Sequence, residues 1–397
     1  MPELLTVEEA LARILEHARP LPAEAVDITQ ARGRVVREPA RAAVDLPPFP
    51  SSAMDGFAVR AADTPGDLPV AFRVAAGSPP SGDLVPGTAA GIATGATVPV
   101  GADAVVPIEL ADDRGDVVAI PGEARAGQHV RPRGGDVHEG DVVVESGSRL
   151  AAPQVGALAA AGIATVTCSA LPRVAVLATG SELRAPGEIL EPGELYESNR
   201  TMIAAVLAGS GAEIELLPVV EDDEESHRAA IARGLEADAL VTSGGVSMGP
   251  HDLVRRVAAE LGVEEVFWGV AVKPGKPLAF GVRDGTLVFG LPGNPVSSLV
   301  GSLLFVRPGL LARQGLADPA PRYSRARCAA PLSRNPHRDE FVRARHVGSG
   351  DDTVLEAIAG QESHMIARAA AADALIHVPR GEGELAAGEL VRYLSLE

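Results

Sequence analysis

Between residues 172 and 318, short apolar runs alternate with amphipathic stretches, and no other feature of this 397-residue chain narrows its fold as much. Residues 173–178 form an apolar run that stops at Thr179-Gly180-Ser181-Glu182. Residues 213–220 end in Glu221-Asp222-Asp223, residues 239–242 end in Ser243-Gly244-Gly245-Val246-Ser247, and residues 265–272 reach Lys273-Pro274-Gly275-Lys276-Pro277. Helical periodicity fills 201–207, 226–235 and 250–261. Continuously apolar strands are buried on both faces, and intervening helices make successive strands parallel. The pattern predicts a doubly wound, mainly parallel α/β sheet with helices on both sides.

A hairpin follows, with strands over 278–282 and 286–289 turning at Asp284-Gly285. Next comes Pro292-Gly293-Asn294-Pro295, where Asn294 suits a helix N-cap and Pro295 a first helical position. Free backbone N–H groups at such a terminus favour anions. Ligands of open α/β sheets bind beyond the carboxyl ends of the strands. Glu182, Asp222, Asp252, Lys273, Lys276 and the turn from Pro292 to Pro295 are therefore expected on one rim.

Of the 35 basic residues only Lys273 and Lys276 are lysines, and they flank one Pro-Gly turn. An ammonium is a compact charge that approaches an oxyanion closely, whereas a guanidinium is a wide planar fork. The plain alternative is a surface turn with incidental lysines. Carboxylates opposite two ammoniums suit a magnesium ion, which takes one or two carboxylates and leaves its other positions to water and phosphate.

Around this segment the reading is less regular. Thr6-Val7-Glu8-Glu9 has capping-box form and leads an amphipathic helix to about residue 18; a second short helix is expected over 30–36. Short β runs separated by Gly and Pro fill 46–144. Residues beyond 319 are again β-rich, interrupted only by a short helix near 365–371. The predicted organisation is multidomain: a small discontinuous N-terminal α/β domain (1–45 and 145–171), a β-rich domain inserted in it (46–144), the doubly wound domain (172–318) and a C-terminal β-barrel domain (319–397).

The formal charge of −18 argues against nucleic acid or an anionic membrane as partner. No apolar run is expected to reach membrane-spanning length. Two cysteines and the absence of a charged-then-apolar leader point to a reducing cytoplasm, and nine histidines without zinc spacing make a structural zinc site unexpected. Gly245-Val246-Ser247-Met248-Gly249 matches the G-x-S-x-G nucleophile pattern, but Ser243-Gly244 separate it from the strand and Pro250 delays the helix. Gly275-Lys276-Pro277 lacks the Ser or Thr of a Walker A loop.

Taken together, Ser52-Ala53-Met54-Asp55-Gly56, Thr94-Gly95, Gly101-Ala102-Asp103-Ala104, Arg133-Gly134-Gly135-Asp136, Thr179-Gly180-Ser181-Glu182-Leu183, Ser243-Gly244-Gly245-Val246-Ser247, Lys273-Pro274-Gly275-Lys276-Pro277 and Leu291-Pro292-Gly293-Asn294-Pro295-Val296-Ser297 resemble, in the same order, the motifs of the molybdopterin molybdenumtransferases, relatives of the gephyrin E domain. The resemblance implies that adenylylated molybdopterin and molybdate give molybdenum cofactor and AMP. It implies a homodimer whose cleft brings Asp55, Thr94 and Asp136 of one chain to the sheet rim of the other, and transient contact with the molybdopterin adenylyltransferase. By the same resemblance, Glu182, Asp222 and Asp252 hold Mg2+ or its waters, and Asp55 and Asp136 orient the reacting groups. Lys273 and Lys276 meet phosphate or molybdate, while Thr94, Ser243, Gly244, Gly245, Ser247, Pro292, Gly293, Asn294 and Pro295 bind substrate. Ser181 departs from the family's frequent Asp, and Glu221 stands where a bacterial relative carries Arg. The alternatives are the adenylyltransferase of the pathway, normally a much shorter chain, a receptor-tail scaffold and a tungstate-specific paralogue.

Overall fold

The computed structural model describes residues 4–246, 253–350 and 353–396; the expected site residues Ser247 and Asp252 lie outside the described residues. The central sheet contains β1 (Arg173–Ala178), β2 (Glu213–Leu216), β3 (Ala239–Ser243), β4 (Glu264–Trp268), β5 (Ala279–Arg283) and β6 (Thr286–Leu291), in the spatial order β2-β1-β3-β6-β5-β4. Neighbours β2, β1, β3 and β6 are parallel, and only β5 runs against both of its neighbours. Every residue of β3 and β6 is buried, as continuous apolar runs require.

Side-chain alternation on β1 assigns the two faces. Val174 and Val176 enter a core with Ile14, Ile203, Leu207 and Leu304. Ala175 and Leu177 enter a second core with Leu217, Ile231, Leu240 and Val257. The covering helices are α1 (Val7–His17), α2 (Asn199–Ala208), α3 (Glu224–Gly234), α4 (Leu253–Glu260) and α5 (Pro295–Arg313), the last with a π-helical turn at Ser302–Val306. By length and composition α5 could cross a membrane, which corrects the expectation that no run reaches that length; 89% of its apolar window is buried inside the protein, as a core helix.

Two local expectations also change. Residues 30–36 are not a helix: a 3-10 turn at Ile28–Gln30 gives way to a turn with Gly33 at φ 84°, and Val35 and Val36 form bridges to Arg149 and Cys168. The strand expected over 265–272 ends at Trp268, and Val272–Lys273 leaves the sheet to pair with Asp339–Val347 of the C-terminal barrel.

The α1 capping box is complete, with Thr6 accepting from the Glu9 N–H at 3.1 Å and Glu9 accepting from the Thr6 N–H at 2.8 Å. Its apolar face, Val7, Ala10 and Ile14, joins the central-sheet core. The following segment packs elsewhere: Ala23–Asp27 pairs antiparallel with Thr165–Ser169 over a core of Val26, Val36, Leu158 and Val166. From it a stem leads outward, Ala40–Arg41 paired antiparallel with Val142–Val144. The inserted piece holds a six-stranded mixed sheet with an apolar cluster on each face. The C-terminal sheet closes on itself as a five-stranded barrel of Ser324–Cys328, Asp339–Val347, Val354–Ala357, Ala374–Val378 and Leu390–Ser395.

Candidate active site

All parallel strands of the central sheet, β4 among them, end on one edge, and the turns that follow them build the site. After β1, Thr179 bridges to Val220 beyond β2, and the two turns lock reciprocally. The Asp222 N–H donates to Ser181 Oγ at 3.0 Å, and the Ser181 N–H points back to Asp222 Oδ2 at 3.5 Å. The Glu182 carboxylate folds over Gly180, where an added Cβ would meet Oε2 at 2.6 Å. Glu182 and Asp222 thus present exposed carboxylates beside the same turn. Asp223 is committed differently: it caps α3 by accepting from the Ser226 N–H at 2.9 Å, and Ser226 holds its carboxyl below the usual range.

The turns after β3 and β6 touch backbone to backbone. Gly244 has φ 96°, a Cβ on it would meet the Thr179 carbonyl at 2.9 Å, and its N–H donates to the Leu291 carbonyl at 3.0 Å. Gly245, at φ 64°, would drive a Cβ to 2.4 Å from Val254. Only glycine satisfies both the left-handed backbone and the close approach. On the facing turn, a Cβ on Gly293 would lie 3.7 Å from Gly244 Cα. Two polar side chains pin these turns. Asn199, at the start of α2, donates through Nδ2 to Ser243 Oγ at 2.8 Å and to the Gly293 carbonyl at 2.7 Å. The fully buried Ser298 donates to the Pro292 carbonyl at 2.5 Å.

The barrel grips the same place. Asn294 occupies the N-cap of α5 and Pro295 follows it, but the Asn294 side chain donates to Ser363 Oγ at 2.9 Å instead of capping. The Val296 N–H, expected to be free for an anion, donates to the Ser363 carbonyl at 3.0 Å. Ser363 is fixed by Arg343, whose wholly buried guanidinium donates to the carbonyls of Gly360, Glu362 and Met365.

The lysine loop packs on this helix start, with a Cβ on Gly275 lying 3.6 Å from the Ser297 carbonyl. Lys273 Nζ pairs with Glu340 Oε1 at 2.9 Å. Lys276 is half-buried and, among the described residues, its ammonium has no ion-pair partner. The structure therefore gathers Glu182, Asp222, Ser243, Gly244, Gly245, Lys273, Lys276, Pro292, Gly293, Asn294 and Pro295 along one edge.

Asp55, Thr94 and Asp136 stand apart, in the inserted domain. Asp55 Oδ1 accepts from the Thr94 N–H at 2.7 Å, and Gly56 lies so near the neighbouring strand that a Cβ would sit 2.0 Å from the Val106 carbonyl. Asp136 is tied through its N–H to the Leu46 carbonyl at 2.9 Å. Arg133 pairs with Asp45 as a surface salt bridge, and the Glu139 N–H and Arg133 hold the Asp45 carboxyl below its usual range. Among the described residues, no hydrogen bond or ion pair joins these residues to the sheet edge. Sequence reasoning missed Asn199, Ser298 and Arg343, and it read the unusual turn Gln361-Glu362-Ser363-His364-Met365 as part of a mostly structural barrel; a signal for Ser298 was the serine pair just after Pro295-Val296.

Three family descriptions match the chain in order: "MoeA N-terminal region (domain I and II)" over residues 5–162, "Probable molybdopterin binding domain" over 175–312 and "MoeA C-terminal region (domain IV)" over 325–396. Molybdopterin molybdenumtransferase 2 of Mycobacterium tuberculosis is 38% identical, covering 98% of both chains. The molybdopterin molybdenumtransferase of Haemophilus influenzae is 33% identical, again over 98% of both. The crystal structure of a molybdopterin biosynthesis MoeA protein from Pyrococcus horikoshii superposes with a TM-score of 0.82 at 33% identity, covering 100% of both chains. With its fold matched by a solved structure and nearly its whole length by named relatives, the chain belongs to the molybdopterin molybdenumtransferase (MoeA) family.

Proposed function

We propose that this protein inserts molybdenum from molybdate into adenylylated molybdopterin and releases AMP. The observation that carries the reading is the convergence of the Ser181–Asp222 turn, the Asn199-pinned turns and the lysine loop at one sheet edge, in a chain whose full-length relatives are named for molybdenum transfer. Molybdate and a pyrophosphate-linked substrate repel each other, so their charge must be offset before the phosphoanhydride opens. Lys276 supplies an ammonium with no other partner among the described residues, while Lys273, braced by Glu340, fixes the loop and adds a second charge. The Gly244 and Gly293 turns leave backbone exposed where a flat pterin and its phosphate can approach closely.

Glu182 and Asp222 would hold magnesium. Both are exposed oxygen donors on adjoining turns, and among the described residues no cluster of three or more His, Cys, Asp or Glu side chains forms a cage. Such a donor set fits an ion that keeps water and substrate in most of its positions. When bound, magnesium would neutralise phosphate oxygens; Asp252 is its third proposed ligand. Asp55, Thr94 and Asp136 would act from a second copy in a homodimer, which accounts for well-built loops that, among the described residues, make no bond to their own chain's edge. Both cysteines are buried free thiols, in keeping with a cytoplasmic protein that receives its substrate by brief contact with the adenylyltransferase.

The test is AMP release from adenylylated molybdopterin in the presence of molybdate. Asp222→Ala should slow it by more than the roughly 10–100-fold typical of losing even an outer-shell partner of a metal site, with folding unchanged. Undiminished release by that variant would overturn the proposal.

A further inference from the structure

On the far side of α5 from the rim, a cavity of about 660 Å³ opens where three parts of the chain meet. Its walls come from residues 147–154 of the N-terminal segment, from α5, and from the connection 316–322 that leads into the barrel. Arg307 lies roughly 18 Å along α5 from Pro295, at 1.5 Å per residue, so this is not an extension of the catalytic edge.

Three arginines line the cavity: Arg149, Arg307 and Arg322. Arg149 is held rigidly, donating to the carbonyls of Gly33 at 3.0 Å and Gly209 at 2.8 Å. Among the described residues none of the three pairs with a carboxylate, in a chain of formal charge −18 whose other arginines so often do. Even Asp318, which also lines the cavity, forms no ion pair with them. Burial, and then repulsion from Arg307, hold the Arg149 guanidinium below its usual basicity. Uncompensated like charges at a domain junction are costly, and a bound anion removes that cost.

The rest of the wall decides what kind of anion. Leu303, Leu311, Leu316, Pro319 and Pro321 give the cavity an apolar side, and its volume is that of a site for a small organic molecule. We propose that the cavity binds a small organic phosphate, its phosphate forked by Arg307 and Arg322 with Arg149 behind them and its body against the leucine and proline wall. Guanidinium geometry matches phosphate bidentately. A ligand held in this way joins the N-terminal segment, the central domain and the barrel connection.

Calorimetric titration of the full chain with AMP, adenosine and inorganic phosphate tests this, using a Lys276→Ala background to suppress binding at the rim. AMP should bind in that background, and Arg307→Ala should weaken it about tenfold or more, the loss expected for one charge-assisted hydrogen bond. Arg322→Ala, an exposed position on the connection that poses no threat to folding, should weaken it similarly. The proposal is overturned if AMP does not bind in the Lys276→Ala background, if both arginine variants keep full affinity, or if adenosine or inorganic phosphate binds as tightly as AMP.

Discussion

Two turns at the same sheet edge are built in opposite ways. The turn after β6 is clamped from three sides, by Asn199, by buried Ser298 and by Ser363, whose flanking carbonyls Arg343 holds from the barrel strand. The turn after β1 is exposed and meets its neighbour through a backbone bridge from Thr179 to Val220 and one reciprocal side-chain pair, Ser181 with Asp222. A substrate must be positioned by something rigid, whereas a hydrated cation is better served by carboxylates free to adjust. On the proposed reading, positioning falls to the clamped turn and cation handling to the loose one, which separates what should cost stability from what should cost only activity.

The strongest way to break this contrast is Arg343→Ala. Three carbonyls would lose a buried charged donor, so unfolding in urea should show a loss of about 3 kcal/mol or more; a smaller change would mean that the clamp is ornamental. Asn199→Ala should cost about 1–2 kcal/mol for the two bonds it removes and should raise the KM for the pterin substrate more than it lowers kcat.

A pH series sharpens the clamped side. Burial alone would raise the Asp339 carboxyl, but hydrogen bonds from His377 and the Arg380 N–H outweigh it and hold the group below its ordinary 3.8. A depressed carboxyl contributes stability above its unfolded pKa and loses it as pH falls through the folded one. The native protein should therefore lose this contribution as pH falls from the ordinary carboxylate value of 3.8 through the lower folded pKa of Asp339, and Asp339→Asn should be weaker at neutral pH and lose less of its remaining stability on acidification, as followed by urea midpoints. Because Asp339 also pairs across to Val272 beside Lys273, the lysine loop should loosen with it. The smallest effect on stability belongs to Asp222→Ala, within about 0.5 kcal/mol as for an exposed residue, although that variant should release almost no AMP.

Much of this could be read from the chain because strand ends announce themselves. A run buried on both faces must stop where glycine, proline or a charge appears, so the edge turns were found at β1, β3 and β6, and the hairpin at Asp284-Gly285 matched β5 and β6. The strand read before the lysines is too long because Val270, Ala271 and Val272 are as apolar as a strand interior, yet they are buried beside the barrel and Leu5. The helix expected over 30–36 failed because Gly33 turns left-handed and Val35 and Val36 are claimed by partners more than a hundred residues away. The clamp was invisible for the same reason: Asn199 meets Ser243 and Gly293, and Arg343 meets residues 360–365, pairings that no local periodicity encodes. Proline and glycine at the Pro292 turn signalled a helix start but not that the barrel would occupy the Val296 N–H.

The short stem at Ala40–Arg41 and Val142–Val144 has a further consequence. Paired strands lie about 4.8 Å apart, so everything between them leaves and re-enters through a single doorway. Such a piece behaves as a cassette: it can be lengthened, trimmed or swapped for a homologue's without re-routing the host, because closing the loop is the stem's task. Grafting a relative's insert at those two strands is thus a direct way to exchange one half of the proposed two-copy cleft while leaving the other half untouched.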